Sequence, residues 1–488
     1  MISTFIQFTN KLKPCGFFLL SGTIVGSLIV CFANLSTEWM LYTYFALIFA
    51  SLSLIITNKK RYFQFLVILT ISVGRPFLVE KPFSIHLGGA QNVPEFFMSD
   101  IWLFILLLIW MSNFFKTKQG IKLNIQHIEI AIVLLFGWSC LSVIHARNYE
   151  YGFYEIIRMI KQFLLFLYFS HNIKTKKDVK FVVLCLMTVL CIQSCISIFQ
   201  YLGGKMPFGF FQEIDIEEET TGARRVGGTL YGISALSQFL QLLIPIALAL
   251  AFYYKEKKWQ FPYWTLFSLG TIALIFTFTR SAILSLILSI LAIMIIQLVY
   301  KKSNRLLFFS RAILIIMIMC VIFIVMQKEI ILRFTADDGG SARARIPMMI
   351  VALSIIAKNP VFGIGLNNYN EIMGFYDMYV KLGKPIHAVH NVYLFFASEI
   401  GVPGLLILLY IIGIIYKKTY TILKQHWGLL QYVTIGIISS VTGYLLILAN
   451  VAMGFKHLVP IGNLFWLQLG LIVAIENIEL KKINHLIE

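Results

Sequence analysis

The sequence predicts an all-α, polytopic membrane protein. Of its 488 residues, 59% are hydrophobic and only 13% are charged, and the mean hydropathy is +0.81. Soluble domains, by contrast, are roughly half apolar and about one quarter charged. Apolar runs of about 17–25 residues, long enough to cross a bilayer as helices, follow one another along the chain. We therefore predict a single integral membrane domain over residues 1–488.

The apolar runs predict about 12–14 transmembrane helices. Fourteen runs qualify, and the number falls to twelve or thirteen if a weak run such as 155–171 is re-entrant. The predicted spans are roughly 16–34, 39–57, 61–79, 100–116, 128–145, 155–171, 179–202, 231–254, 262–279, 281–300, 308–327, 391–416, 430–452 and 460–477.

Short basic clusters set the predicted orientation. Most of the 41 lysine and arginine residues lie in short loops on one side of this topology, such as 59–61 and 255–258, whereas most of the 23 acidic residues lie on the other side. Because basic loops stay in the cytoplasm, we predict that both termini are cytoplasmic. The net charge of +18 then reflects contacts with anionic membrane lipids, and we predict no nucleic-acid partner.

Three loops on the predicted outer side are long enough to fold. They are residues 80–99, a second extracytoplasmic loop at 203–230 and a main extracytoplasmic loop at 328–390. Within the main loop, apolar residues recur at helical spacing and predict an amphipathic helix over 345–358 that lies on the outer membrane surface. Pro347 falls in its first turn, and a proline at residue 360 ends it.

The predicted cytoplasmic loops are too short to hold a nucleotide-binding domain, and the sequence has no glycine-rich phosphate loop. Chemistry at the outer face then needs a substrate that arrives already activated, and a lipid-linked diphosphate is the natural candidate. Arginine suits its phosphates because the guanidinium is a multidentate cation. Histidine suits the removal of a proton from an acceptor hydroxyl at neutral pH.

Three arginines are the main candidates for binding the diphosphate. Arg280 interrupts the apolar stretch 262–300. The alternative is that Arg280 only marks a helix end and extends its side chain to the lipid headgroups. Arg343 and Arg345 precede the amphipathic helix, whose N-terminus favours anions. The alternative for this pair is a solvated loop.

Three further arginines are supporting candidates. Arg224 and Arg225 lie in the second extracytoplasmic loop, and Arg158 lies within an apolar span. Charges at such depth face a bundle interior or a water cavity. For Arg158 the alternative is a structural pair with Glu155, three residues earlier.

His390 is the candidate general base because it opens an apolar helix at the end of the main loop. Asn391 and Tyr393 lie beside it and His387 one turn earlier, and all three are supporting candidates. The alternative is a hydrogen-bonded histidine at the membrane interface. The two histidines lack the glutamate of a zinc-protease pattern, so we predict no metal and no cofactor.

These residues resemble a known family. TRSA at 279–282, the arginines at 343 and 345, NPVFGIGLNNY at 359–369 and HNVYLFFASEIGVPGLL at 390–406 are similar to the O-antigen ligase and O-antigen polymerase-like superfamily. The superfamily consists of membrane-embedded, GT-C-like glycosyltransferases that use lipid-linked sugars. The resemblance covers about residues 220–416, and the His-Asn motif followed by Gly-x-x-Gly is its most specific part.

The resemblance implies a role for each candidate. His390 would activate the acceptor hydroxyl, and Arg280 with Arg345 or Arg343 would bind the diphosphate of an undecaprenyl-linked glycan. Transfer would invert the anomeric centre and need no metal. Implied partners are the undecaprenyl-diphosphate-linked glycan, membrane lipids, a flippase and a chain-length regulator, in the cytoplasmic membrane of a bacterium.

Several functions stay open at this point. A polymerase adds the glycan to another lipid-linked repeat unit, and a ligase adds it to a different lipid or wall acceptor. Residue usage rich in Ile, Lys, Phe and Asn favours a Gram-positive cell-surface polysaccharide. A transporter or flippase of lipid-linked oligosaccharide would instead place charges near the midplane and show related halves. A non-catalytic scaffold would tolerate loss of His390.

Overall fold

The computed structural model is an all-α polytopic membrane protein with one minimal β-hairpin. It describes residues 48–49, 51–53, 55–74, 77–78, 95–117, 126–203, 225–230, 232–301, 305–325, 327, 341–376, 388–450 and 458–487. The predicted span 16–34 and most of 39–57 lie outside these residues, as do most of the loops 80–99 and 203–230.

The described residues include fourteen helices and two short strands. The helices are α1 Lys59–Ile71, α2 Met98–Thr117, α3 His127–Val143, α4 Tyr149–Asn172, α5 Lys176–Tyr201, α6 Ile233–Tyr253, α7 Lys257–Ile275, α8 Arg280–Lys301, α9 Arg305–Val325, α10 Ser341–Lys358, α11 Tyr369–Tyr376, α12 Val392–Leu423, α13 Leu429–Leu446 and α14 Val459–Ile487. A 3₁₀ turn, Leu448–Asn450, follows α13, and strands β1 Phe77–Leu78 and β2 Glu95–Phe96 pair antiparallel.

Most predicted spans correspond to helices. Within the described residues, α5, α6, α8, α12, α13 and α14 are long and apolar enough to cross a membrane by length and composition, and α2 and α3 contain shorter apolar helices. The weak run 155–171 lies within the 24-residue helix α4. The run 61–79 is shorter than predicted, because α1 ends at Ile71 and Ser72 caps it.

Three helices form the centre of the bundle. The apolar stretches of α6 and α14 are fully buried and that of α13 is 83% buried, whereas only 39% of the α8 stretch is buried. The exposed residues of α8 are large and apolar, among them Leu284, Leu291 and Ile295. A bilayer is the solvent that such a surface fits.

Buried polar side chains join the central helices. Gln241 of α6 donates hydrogen bonds to Ser289 Oγ of α8 at 3.0 Å and to the Ser440 carbonyl oxygen of α13 at 3.1 Å. The Tyr444 hydroxyl of α13 donates to Gln238 Oε1 of α6 at 3.0 Å. In hydrocarbon, where water cannot compete, such bonds contribute about 0.6–2 kcal/mol each to helix association.

The two ends of the bundle differ in what they hold. We call the end at which α8 and α12 begin the site end, and the other the opposite end. At the opposite end, Gln126 before α3 accepts from Lys418 Nζ of α12 at 2.5 Å and donates to Asn477 Oδ1 of α14 at 2.7 Å. There too, Lys60 of α1 donates to the Asn172 carbonyl oxygen of α4 at 2.8 Å.

Candidate active site

Arg280 begins α8 directly after a tight turn at residues 276–279. Within this turn Phe278 is buried and has a φ of 50°. An aromatic residue in left-handed backbone costs of order 1–3 kcal/mol and persists only where the surrounding structure imposes it. The turn therefore fixes the position of the Arg280 backbone, from which the partly buried side chain projects.

Arg225 is attached to the same turn. Its Nε donates a hydrogen bond to the Thr277 carbonyl oxygen at 3.1 Å. The next residue, Val226, donates its backbone N–H to the Phe276 carbonyl oxygen at 3.3 Å. The structure thus brings Arg225 beside the turn that presents Arg280, although about 55 residues of chain separate them in the sequence.

Two glutamines of α5 hold the segment 225–230 in place. Gln200 Oε1 accepts from the Gly228 N–H at 2.9 Å, and its Nε2 donates back to the Gly228 carbonyl oxygen at 3.2 Å. Gln193 Nε2 donates to Thr229 Oγ1 at 2.5 Å. Because these donors and acceptors are satisfied within the protein, the segment has a defined conformation without sheet or helix.

Helices α8 and α13 run antiparallel in a fixed register. A Cβ atom on Gly443 of α13 would lie 2.2 Å from Ser289 Oγ and 2.4 Å from the Ser285 carbonyl oxygen of α8. The turn Leu448–Asn450, which follows α13, therefore comes beside the first turns of α8. This turn contacts both α8 and α12. It links the start of one helix to the start of the other.

His390 and Asn391 lead into α12. Asn391 is the N-cap: its Oδ1 accepts the Leu394 N–H at 3.0 Å, and its Nδ2 donates to Asn450 Oδ1 at 3.2 Å. His390 Nδ1 lies 2.9 Å from the Ala388 carbonyl oxygen. Because a carbonyl oxygen only accepts, the neutral ring carries its proton on Nδ1 and its basic lone pair on Nε2. In this tautomer Nε2 is the nitrogen that can take up a proton.

Helix α12 is broken at Gly401, where φ is 73° and ψ is 173°. The break removes the helical N–H partners of the preceding carbonyl groups. Helix α3 supplies replacements: Trp138 Nε1 donates to the Ile400 carbonyl oxygen at 2.8 Å, and Ser142 Oγ donates to that of Glu399 at 2.7 Å. The part of α12 before the break is therefore a separate short helix with its own direction.

The segment 359–369 closes the break from the other side. A Cβ atom on Gly401 would lie 1.9 Å from the Val361 carbonyl oxygen, so only glycine fits at this position. Three backbone hydrogen bonds join the segment to the break: Ile364 N to Ser398 O at 3.0 Å, Gly365 N to Glu399 O at 3.1 Å, and Val402 N to Pro360 O at 2.8 Å.

Glu399 is fully buried in this join. Its Oε2 accepts the Asn367 N–H at 2.9 Å, and its Oε1 accepts the Tyr369 N–H at 3.3 Å. Asn367 has a φ of 59°, which turns the chain into α11. The Tyr369 ring stacks on Phe395 with centroids 4.9 Å apart. Glu399 thus connects the turn before α11 to the short helix that follows His390.

Helix α10 lies beside the short helix of α12. Ser398 Oγ donates to the Ala352 carbonyl oxygen of α10 at 3.4 Å. One apolar cluster joins α10, α11 and the approach to His390; its buried members are Val351, Ala352, Ile355, Ile364, Tyr369, Met373, Ala388, Val389 and Phe395. The second half of α10 therefore packs against the approach to His390, and Arg343 and Arg345 precede this part of the helix by two turns.

The start of α10 differs from the prediction. The helix begins at Ser341 rather than Arg345, so both arginines are helical and Pro347 lies in the second turn. Pro347 has no N–H to donate to the Arg343 carbonyl oxygen. In the first turn of a helix this missing N–H would cost nothing, so the sequence predicted a later start that put Pro347 there. Arg345 is exposed, and of Arg343 the structure describes the backbone.

The remaining predicted residues divide into three groups. Arg158 forms an ion pair with Glu155, and both side chains are 4% exposed. This is the structural pair that the sequence analysis gave as the alternative to a role in binding. The Tyr393 hydroxyl donates to the Leu445 carbonyl oxygen at 2.8 Å and so joins α12 to α13. His387 and Arg224 lie outside the described residues.

Sequence reasoning missed the residues that hold the break in α12. Glu399 carried one signal, a carboxylate inside an otherwise apolar span, which marks a residue with a specific partner. Trp138 and Ser142 carried no such signal, because tryptophan and serine occur on any face of an apolar helix, whether or not that face contacts another segment.

Residues 265–409 match the O-Antigen ligase family. The matched segment runs from α7 past the break in α12 and includes Arg280, Arg343, Arg345 and His390. No curated protein matches the chain. The family match confirms the resemblance to the O-antigen ligase and polymerase-like superfamily and supports a role in joining lipid-linked glycans.

Proposed function

Because the chain resembles the O-antigen ligase and polymerase-like superfamily of membrane glycosyltransferases, we propose that it polymerises lipid-linked oligosaccharide repeat units into a cell-surface polysaccharide. One observation carries the proposal: α8 and α12 both begin at the site end, with Arg280 as the first residue of α8 and His390 two residues before α12, and α10, which contains Arg345, packs beside the short helix of α12. Two helix N-termini and Arg280 make the site end attractive to a diphosphate.

The reaction is a single displacement. His390 Nε2 takes the proton of an acceptor hydroxyl while that oxygen attacks the anomeric carbon of the donor glycan. The bond from this carbon to the undecaprenyl diphosphate breaks, and the diphosphate leaves with the electron pair. Attack opposite the leaving group inverts the anomeric centre, and the guanidinium groups offset the charge that develops on the diphosphate without a metal ion.

The arginines divide the binding of the diphosphate. Arg280 is the anchor because the strained turn at 276–279 fixes its position and Arg225 is attached to that turn. Arg345 and Arg343 are the second group in this proposal, because they precede the part of α10 that packs against the approach to His390. A bidentate contact from one arginine of each group would hold both phosphates in register.

The site end is on the extracytoplasmic face in this proposal. The opposite end holds the basic clusters around Lys60 and Lys418, which favour the cytoplasmic side. Both termini are then cytoplasmic, in the plasma membrane of a bacterium. A flippase would deliver the lipid-linked repeat unit, and a chain-length regulator would act on the product. The polymer we propose is a cell-wall polysaccharide such as teichuronic acid.

The proposal is tested with purified protein in detergent and an undecaprenyl-diphosphate-linked repeat unit, without nucleotide and with a metal chelator. We expect the wild-type protein to produce a ladder of longer lipid-linked glycans on a gel. We expect His390→Ala and Arg280→Ala to produce none. His426→Ala is the matched control because this histidine lies after α12, at the opposite end.

Each other outcome points to a different function. A single transfer to an added lipid acceptor, with no ladder, would identify a ligase. Ladders of equal length from wild type and His390→Ala would reject His390 as the base, whereas no product and no lipid scrambling from a verified donor would leave a non-catalytic scaffold. Lipid scrambling in vesicles, with no transfer from a verified donor, would identify a transporter and overturn the proposal.

A further inference from the structure

A second group of residues at the site end, away from His390, combines an exposed aromatic ring with charged side chains. Phe375 on α11 is 70% exposed. The guanidinium of Arg147, in the loop between α3 and α4, lies 4.6 Å from the centre of its ring. Arg147 covers one face of the ring, so the exposed area of the Phe375 side chain is on the other face and the edge.

Carboxylates and phenol groups lie on α11 and on the first turns of α4. Glu371 precedes Phe375 by one helical turn on α11, so the two share a face of the helix. The carboxylates of Glu371 and Glu150 and the phenol of Tyr154 lie close enough to the Tyr151 hydroxyl to interact electrostatically with it. The group therefore spans the first turns of α4 and one face of α11.

The two sides of the group are rigidly joined. Asn368 Oδ1 accepts the Asn148 N–H at 2.7 Å, and Asn368 Nδ2 donates to the Asn148 carbonyl oxygen at 3.0 Å. Asn367 Nδ2 donates to the Tyr151 carbonyl oxygen at 2.9 Å. A ligand that bridges α4 and α11 would therefore meet a surface whose geometry is already fixed, which lowers the entropy cost of binding.

We propose that Arg147, Glu150, Tyr151, Glu371 and Phe375 form a glycan-binding surface that holds the sugar chain beyond the reaction centre. The chemistry fits a sugar because a pyranose ring has an apolar C–H face that packs on an aromatic ring and hydroxyl groups that bond to carboxylates and guanidinium groups. The Arg147 guanidinium at the ring and the Glu371 carboxylate on the same helix face make hydrocarbon a poor alternative environment, because charged groups in hydrocarbon are costly.

The position of the glycan-binding surface fits this role, which rests on the proposed function. Tyr369 and Met373 lie on the face of α11 opposite Glu371 and Phe375, and they pack in the same cluster as Ala388, two residues before His390. The surface is therefore separated from the approach to His390 by one helix diameter, roughly 10 Å. An oligosaccharide whose end lies at His390 reaches it with its next sugars.

The test measures binding without catalysis. The probe is oligosaccharide released by mild acid from the surface polysaccharide of cells that encode the protein, labelled at its reducing end and free of diphosphate. We expect Phe375→Ala to raise the Kd of the purified protein for this probe by at least about tenfold. Phe375→Tyr keeps the ring and should bind as the wild type does.

Two variants serve as controls. Phe261 of α7 is 71% exposed at the opposite end, so Phe261→Ala removes an equally exposed ring and should leave the Kd unchanged. His390→Ala should bind the probe while it forms no product. A Kd for Phe375→Ala equal to that of wild type, or a wild-type protein that does not bind, would overturn the inference and leave Phe375 as an interfacial anchor. Loss of binding in Phe375→Ala alone would sustain it even if no transfer activity were found.

Discussion

The two nitrogens of His390 have different roles. The hydrogen bond from Nδ1 to the Ala388 carbonyl oxygen fixes the position of the ring, and Nε2 provides its basicity. Asparagine at this position keeps a donor near Nδ1 but has no basic nitrogen at the place of Nε2. We expect His390→Asn to lose transfer activity as completely as His390→Ala, by a factor of about 10²–10⁴. Initial rates of lipid-linked product formation check this, and an asparagine variant with substantial activity would show that the residue acts through position alone.

Glu399 provides a second test at the residue scale. Both of its carboxylate oxygens accept backbone N–H groups, from Asn367 and Tyr369. The amide of Glu399→Gln has one acceptor and one donor, so one buried N–H would meet another donor. We expect a loss of unfolding free energy of about 1–3 kcal/mol, read as a lower melting temperature in detergent. Ser398→Ala is the control, since its hydroxyl donates mainly to the Leu394 carbonyl oxygen within its own helix; equal melting of the two variants would contradict the assignment.

The chemistry of single residues could be predicted from the sequence, but their partners could not. Arg280 and His390 stand out because a cation or an imidazole at the edge of an apolar span is costly and specific. The attachment of Arg225 to Thr277, and of Glu399 to Asn367, depends on contacts between segments more than thirty residues apart in the sequence. Local propensity carries no information on such contacts.

At the scale of elements, the break in α12 gives a prediction with a control in the same helix. Gly401 has a left-handed φ and no space for a Cβ atom, whereas a Cβ atom on Gly413 would meet nothing within 4 Å. We expect Gly401→Ala to lower the yield of folded protein and to abolish activity, because the short helix that follows His390 would change direction. Gly413→Ala should be neutral or stabilising by up to about 1 kcal/mol. Monodispersity in detergent and melting temperature measure both.

If Gly401→Ala folded and worked as Gly413→Ala does, the break would have no role in placing His390.

The sequence predicted a continuous span over 391–416, since apolar periodicity is the same for a straight helix and for one broken at a single glycine. The early start of α10 escaped prediction for a related reason. Residues 341–346 contain good helix formers such as Ala342 and Ala344, but Pro347 is typical of a first helical turn, so the sequence placed the start of the helix too late.

At the scale of the whole molecule, the predicted arrangement of helix ends agrees with the contacts. The segments that the charge pattern placed on one side, near Lys60, Gln126 and Lys418, contact other segments of that side. The segments placed on the other side, near Asn391 and Asn450, do the same. Loop charge is a global signal that survives errors of several residues in each span, which explains why the sequence could predict which of these helix ends lie together but not the geometry of the site.

The contacts at the opposite end lead to the last prediction. Lys418 of α12 forms an ion pair with Glu476 of α14, and their side chains are 12% and 11% exposed; Gln126 joins the pair to α3. Removal of one partner leaves a buried charge without its counter-ion, so we expect Glu476→Leu to destabilise the bundle by about 3–5 kcal/mol. The double change Lys418→Met with Glu476→Leu removes both charges and should recover most of that loss.

The pair is separated from the site end by most of the length of α12, so these changes should affect stability rather than the reaction. We expect the double variant to transfer glycan at the wild-type rate at a temperature where both are folded, while the single variant melts earlier. Melting curves and initial rates for the four proteins of this double-mutant cycle provide the measurement. A double variant as unstable as the single one would mean that the two side chains support the junction of α3, α12 and α14 through packing. A double variant that folds normally but has lost activity would mean that the two ends of the bundle are coupled, so that the position of His390 depends on contacts at the opposite end.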